Sequence, residues 1–137
     1  MRTTLNSEGV SKWRLILLRT YYVVIFVLLG SETWPEIFTR GGSWQPLAGI
    51  AFSFWAALST LAILGLRYPL RMLPLLLLQM LYKTTWLLGV ALPLWKTGKF
   101  DQTAHSLFVA CAVGVVLDLI VIPWRYVLES YVLKPKN

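Results

Sequence analysis

Four long apolar runs dominate the chain, at about Leu15–Gly30, Leu47–Leu66, Met72–Leu94 and His105–Pro123. They are continuous rather than alternating, which favours helices over the strands of a membrane barrel. A helix rises ~1.5 Å per residue, so about 20 mostly apolar residues cross ~30 Å of hydrocarbon. The last three runs meet that length directly. The first is shorter and contains Arg19, so it draws on Lys12–Arg14 before it and Ser31 after it. The pattern predicts an all-α fold: an integral membrane four-helix bundle forming a single domain over residues 1–137, with spans at about 15–30, 47–66, 72–94 and 105–123.

The longest connection, Ser31–Pro46, contains Thr33-Trp34-Pro35-Glu36, the spacing of a capping box with proline in the first turn. It predicts a short outer interfacial helix over about 34–40, stopped by Gly41-Gly42, the alternative being an irregular loop. After Pro123, the residues Trp124, Val127, Leu128, Tyr131 and Val132 recur at helical spacing. An amphipathic tail over 124–133, kinked at Pro123, is expected at the opposite interface.

Composition sharpens this reading. Apolar residues make up 57% and charged residues 14%, against roughly 45–50% and ~25% in soluble domains. Mean hydropathy is +0.63. Disorder and an ordinary soluble fold are both disfavoured. The net charge of +7 lies beside the apolar runs rather than on a separate basic surface, so no nucleic acid partner is expected. The first run resembles a signal peptide only in its basic flank. It ends Leu28-Leu29-Gly30-Ser31-Glu32 without a small-residue cleavage motif, so an uncleaved helix is expected.

The basic residues also set an orientation. Arg2, Lys12, Arg14, Arg19, Arg67, Arg71, Arg125, Lys134 and Lys136 fall on one side, and Arg40, Lys96 and Lys99 on the other. That bias places both termini in the cytoplasm, an N-in/C-in topology. Trp13 and Trp124 fall at the cytoplasmic interface, and Trp34, Trp44 and Trp95 at the outer one. Cys111 and His105 are single, which excludes an intrachain disulfide and a His/Cys zinc site. No cofactor and no metal are expected.

Lys83 is the most informative residue. It lies eleven residues into the third run, about 16 Å along the helix and near mid-membrane. A lysine there costs at least ~2.5 kcal/mol unless it pairs or reaches water. Gln79 lies one turn away, and Asp118 enters from Pro123 to a similar depth, about 8 Å. Arg19 and Thr60, with Ser59 beside it, reach comparable depth on the first two helices. These residues form an expected ligand or ion layer, with structural pairing of Asp118 to Lys83 or Arg19 as the alternative role. Small residues at Gly49, Ser53 and Ala57, and at Ser106, Ala110 and Gly114, are expected to line the helix-packing faces or a homodimer seam. Trp86 and Trp55 would pack beside the layer or cap a cavity, while Cys111 reads as a packed small residue.

Arg67-Tyr68-Pro69-Leu70-Arg71-Met72-Leu73-Pro74, continuing through Lys83, Trp86 and Leu92-Pro93-Leu94-Trp95, resembles a group of small bacterial four-helix integral membrane proteins with no assigned activity. Ile122-Pro123-Trp124-Arg125-Tyr126 adds to the likeness. The resemblance implies a bacterial cytoplasmic (inner) membrane and carries no activity across. Size and helix count alone are similar to DoxX-like proteins. They are also similar to small multidrug transporters, which carry an acidic residue in the first helix where this chain has Arg19.

The expected function is therefore non-enzymatic: binding a membrane lipid, or serving as an accessory subunit of a larger membrane complex or homo-oligomer. The alternative is a small oligomeric transporter or channel using the Lys83/Asp118 layer for an anion or proton. No recognisable catalytic set is present.

Overall fold

The computed structural model describes residues 9–133. Arg2, Lys134 and Lys136, which enter the charge count above, lie outside them. The described residues form helices and turns, with no strand among them. Four helices are long and apolar enough to cross a membrane: α1 (Lys12–Thr39), α2 (Pro46–Arg67), α3 (Leu73–Lys96) and α4 (Gln102–Val121). A short helix α5 (Trp124–Val127) follows and continues as a wider π-type turn, Leu128–Leu133. Large apolar side chains such as Ile16, Leu61, Leu88 and Ile120 are exposed along these helices.

Helix α1 departs from expectation. Its start is capped by Ser11, whose hydroxyl accepts from the Arg14 N–H. It then runs through Thr33 and Pro35 without a break, so the separate helix expected at 34–40 is instead its final turns. Thr33 does not cap. It is buried, and its hydroxyl donates to the Leu29 carbonyl at 2.8 Å. Proline inside a helix removes one N–H and crowds the carbonyl four residues back. A wider π-type turn, Ile25–Leu29, precedes Pro35, whose i−4 carbonyl, that of Ser31, lies beyond it in the regular helix Gly30–Thr39. In an apolar medium a break would strand backbone polar groups, which favours continuity. At about 42 Å, α1 exceeds a typical hydrocarbon thickness and is long enough to supply a span and a further segment. It ends where Gly41 adopts φ +53°, the left-handed conformation favoured just past a helix C-terminus.

The chain forms two compact units, one ending at Leu75 and the other beginning at Leu76. In the first, α1 and α2 pack antiparallel around two glycines. A Cβ at Gly65 would fall 2.5 Å from Cδ1 and Cδ2 of the Tyr22 ring, so the ring lies directly on the α2 backbone. Gly30 lies beside Ser59, but a Cβ there would sit 3.5 Å from the Ser59 hydroxyl, an ordinary contact. Tyr22 is fully buried, and its hydroxyl donates to the Pro69 carbonyl at 3.0 Å. That bond ties α1 to the α2–α3 connection.

The packed face of α2 carries Ala56, Leu58, Ser59, Ala62 and Gly65. Ser53 and Ala57, expected on that face, are exposed, and Gly49 is half-buried near the Trp44 ring. Steps of four residues rotate about 40° at each repeat on a helix of 3.6 residues per turn, so an i, i+4 stripe leaves the face it starts on.

The second unit contains most of α3, then α4 and α5. α3 also carries a wider turn, Leu87–Ala91, with Pro93 just beyond it. The carbonyl that Pro93 would crowd is that of Gly89, within a turn that has already left the α pattern. Gly98 at φ +70° reverses the chain, and Asp101 caps α4 by accepting from the Ala104 N–H at 2.7 Å. α4 stops before Pro123, with Ile122 extended as a residue preceding proline should be.

Candidate functional site

Within the second unit, α3 and α4 run antiparallel, and their contact is polar at its centre. Gln79 and Asp118 are both buried, and the Gln79 amide Nε2 donates to Asp118 Oδ1 at 3.1 Å, with Oδ2 at 3.4 Å. One turn along, Lys83 crosses α4 at Gly114. A Cβ at Gly114 would meet the lysine ammonium and come within 3.0 Å of Cδ and Cε. The glycine is therefore what lets the lysine stem lie against the α4 backbone. The two pairings, 79 with 118 and 83 with 114, keep one antiparallel register.

The α4 face that builds this seam carries Ala104, Leu107, Cys111, Gly114, Asp118 and Val121, all buried or half-buried. Their steps alternate between three and four residues and so hold one side of the helix. Ser106 and Ala110, expected to extend the Gly114–Asp118 stripe, are exposed, because their uniform steps of four rotate off that side. On α3, Leu76, Gln79, Lys83 and Trp86 follow the same alternation and are buried or half-buried.

The structure brings together Gln79, Lys83, Gly114 and Asp118. Arg19 and Thr60 are exposed. Arg19 follows fully buried Leu18 by one residue, which turns it about 100° from the packed face of α1. Arg14, four residues before Leu18, shares the inward side, and its Nε is shielded from solvent. The Thr60 hydroxyl donates to the Ala56 carbonyl at 2.8 Å, and neighbouring Ser59 is the buried hydroxyl of that helix.

Lys83 is half-buried, and among the described residues its ammonium forms no ion pair within 4.0 Å. Among the described residues, Arg40 pairs with Glu36 and Arg125 with Glu129, each one turn apart on its own helix. Asp118 accepts from Gln79, and its carboxylate also acts electrostatically on Lys83 across the seam without forming an ion pair within 4.0 Å. Cys111 is half-buried on the seam. His105 is exposed, with its ring edge-on to Phe100. Among the described residues no group of three or more His, Cys, Asp or Glu side chains is placed to hold a metal ion. Trp55 is half-buried within an aromatic series on α2, 5.4 Å from Phe52, which in turn lies 5.1 Å from Trp44.

Sequence reasoning missed the Tyr22–Gly65 contact. The available signal was a glycine inside an otherwise apolar helical run, where only close approach of a neighbour repays its poor helix propensity.

Comparison with family models, with curated proteins and with solved structures gave no match to this chain. The likeness to small bacterial four-helix membrane proteins finds no counterpart there.

Proposed function

We propose that the chain is a multi-pass protein of a bacterial cytoplasmic membrane, with both termini in the cytoplasm. It works without catalysis, by holding an acidic membrane partner at the α3–α4 seam. That partner is a lipid or the carboxylate of a larger complex to which this chain is an accessory subunit. The observation that carries the reading is Lys83: a cation at mid-helix, made room for by Gly114, with no ion pair among the described residues. Lipid tails cannot satisfy an ammonium, and an intramembrane lysine is retained where something acidic meets it. The orientation is supported by Lys12, Arg14, Arg67, Arg71 and Arg125 on one side, against Arg40, Lys96 and Lys99 on the other.

The protein purified from its native membrane in mild detergent tests this. Wild type is expected to carry a bound acidic lipid or subunit, detected by native mass spectrometry. Lys83→Met is expected to retain at least about tenfold less, since removing one partner of a desolvated charge pair usually costs 2–5 kcal/mol. Equal retention by the variant contradicts the reading. A second reading uses the same residue: a small oligomeric transporter of an anion or proton. It predicts flux in liposomes that Lys83→Met abolishes, with nothing bound after purification.

A further inference from the structure

The α2–α3 connection gathers two cations on one aromatic ring. The guanidinium carbons of Arg67 and Arg71 lie 5.5 Å and 5.7 Å from the centre of the Tyr68 ring. Both arginines are exposed, and among the described residues neither forms an ion pair. Arg40 and Arg125 differ, since each is neutralised by a glutamate one turn away.

Each guanidinium is attracted to the Tyr68 ring it lies over, which helps to hold it at this connection. The backbone of the connection is pinned. The Tyr68 N–H donates to the Leu64 carbonyl at 2.8 Å, and the Met72 N–H to the Tyr68 carbonyl at 3.1 Å. Between them Pro69 and Leu70 are buried, and the Pro69 carbonyl receives the Tyr22 hydroxyl. A pinned loop presenting two planar, unpaired guanidiniums and a phenol is preorganised for a phosphate group, which arginine recognises through paired N–H donors.

We propose that Arg67, Tyr68 and Arg71 form a headgroup site for an anionic phospholipid. Three features select a lipid over a free phosphate. The site sits where two helices apolar enough to cross a membrane are joined. The amphipathic Tyr68 ring belongs at headgroup level. One turn back on α2, Ile63 and Leu64 are exposed, and they offer an acyl chain an apolar track leading from the guanidiniums. The site shares with the preceding reading only the membrane crossing of α2 and α3, and Lys83→Met leaves it unchanged.

The test uses the full chain in nanodiscs of equal phosphatidylglycerol and phosphatidylcholine, with bound lipid counted by native mass spectrometry. Wild type is expected to retain phosphatidylglycerol preferentially. R67Q/R71Q is expected to lose that preference at least about tenfold, with unchanged thermal unfolding because both side chains are exposed. R19Q/R125Q removes the same formal charge from exposed positions elsewhere and is expected to stay within about twofold of wild type. R67K/R71K keeps the charge but loses the planar fork. It is expected to fall between the two, and it carries the test if R67Q/R71Q does not fold. Four results overturn the proposal: no lipid preference in wild type, an unaltered preference in R67Q/R71Q, an equal loss in R19Q/R125Q, or inorganic phosphate bound in detergent with no selectivity among lipids.

Discussion

Gly65→Ala is expected to destabilise the protein by about 1–3 kcal/mol, a large effect for one methyl group. The new Cβ would fall inside the contact distance of a fully buried ring. Overpacking of this kind costs about 1–3 kcal/mol. The ring cannot step aside without straining or breaking the Tyr22–Pro69 hydrogen bond, worth about 1 kcal/mol. Against this stands a gain of about 1 kcal/mol in helix propensity from glycine to alanine. The clash wins because an aromatic ring, unlike the end of a flexible side chain, has no nearby rotamer to move into. Two other glycines calibrate the measurement. A Cβ at Gly89 meets nothing within 4 Å, so Gly89→Ala is expected to be neutral or slightly stabilising. A Cβ at Gly114 meets only the lysine stem, which yields, so Gly114→Ala is expected to change stability by less than about 1 kcal/mol while displacing Lys83. Equilibrium unfolding in mild detergent separates the three. A Gly65→Ala value within about 0.5 kcal/mol of Gly89→Ala would refute the packing described for α1 and α2.

Asp118→Leu is expected to cost about 3 kcal/mol. The substitution removes the acceptor of a buried amide, and leaving Gln79 unsatisfied costs about 1–3 kcal/mol. The larger leucine also overpacks a fully buried position, which costs about 1–3 kcal/mol. Asp118→Asn keeps an oxygen for Gln79 and is expected to lose only about 1 kcal/mol. The double variant Q79L/D118L leaves neither partner stranded and is expected to recover about 1–2 kcal/mol relative to the sum of its singles. Additive losses in the same unfolding assay would mean that the Gln79–Asp118 bond does not hold α3 to α4.

Much of this architecture was legible in the sequence, and the exceptions share a cause. Continuous apolar runs fix how many helices reach membrane-spanning length, because crossing length depends only on rise per residue. Counting along the helices also put Gln79 and Asp118 at one depth, and they are hydrogen-bonded. Depth, however, does not give azimuth. Arg19, expected in the layer from its position along the helix, is exposed, while Arg14 lies on the inward side. Ser106 and Ala110 have the small size expected of packing residues, yet the buried face of α4 follows steps of three and four instead. At Thr33-Trp34-Pro35-Glu36 a local capping signal competed with helix continuity. Continuity won: the helix runs from Gly30 to Thr39 with Pro35 inside it. Local chemistry reads helix ends well where the chain meets water and less well where a backbone break would leave polar groups in apolar surroundings.

The central claim is that Lys83 is held on the α3–α4 seam for an acidic partner rather than for stability. A double-mutant cycle of Lys83→Met, Asp118→Asn and the combined variant, unfolded in mild detergent, measures this directly. The account predicts that Lys83→Met is neutral or stabilising, since it removes a lysine costing at least ~2.5 kcal/mol at mid-membrane, and that its coupling to Asp118 stays below about 1 kcal/mol. If Lys83→Met instead destabilises by several kcal/mol and the combined variant largely recovers the loss, the pair is a structural clamp and the functional reading of Lys83 is wrong.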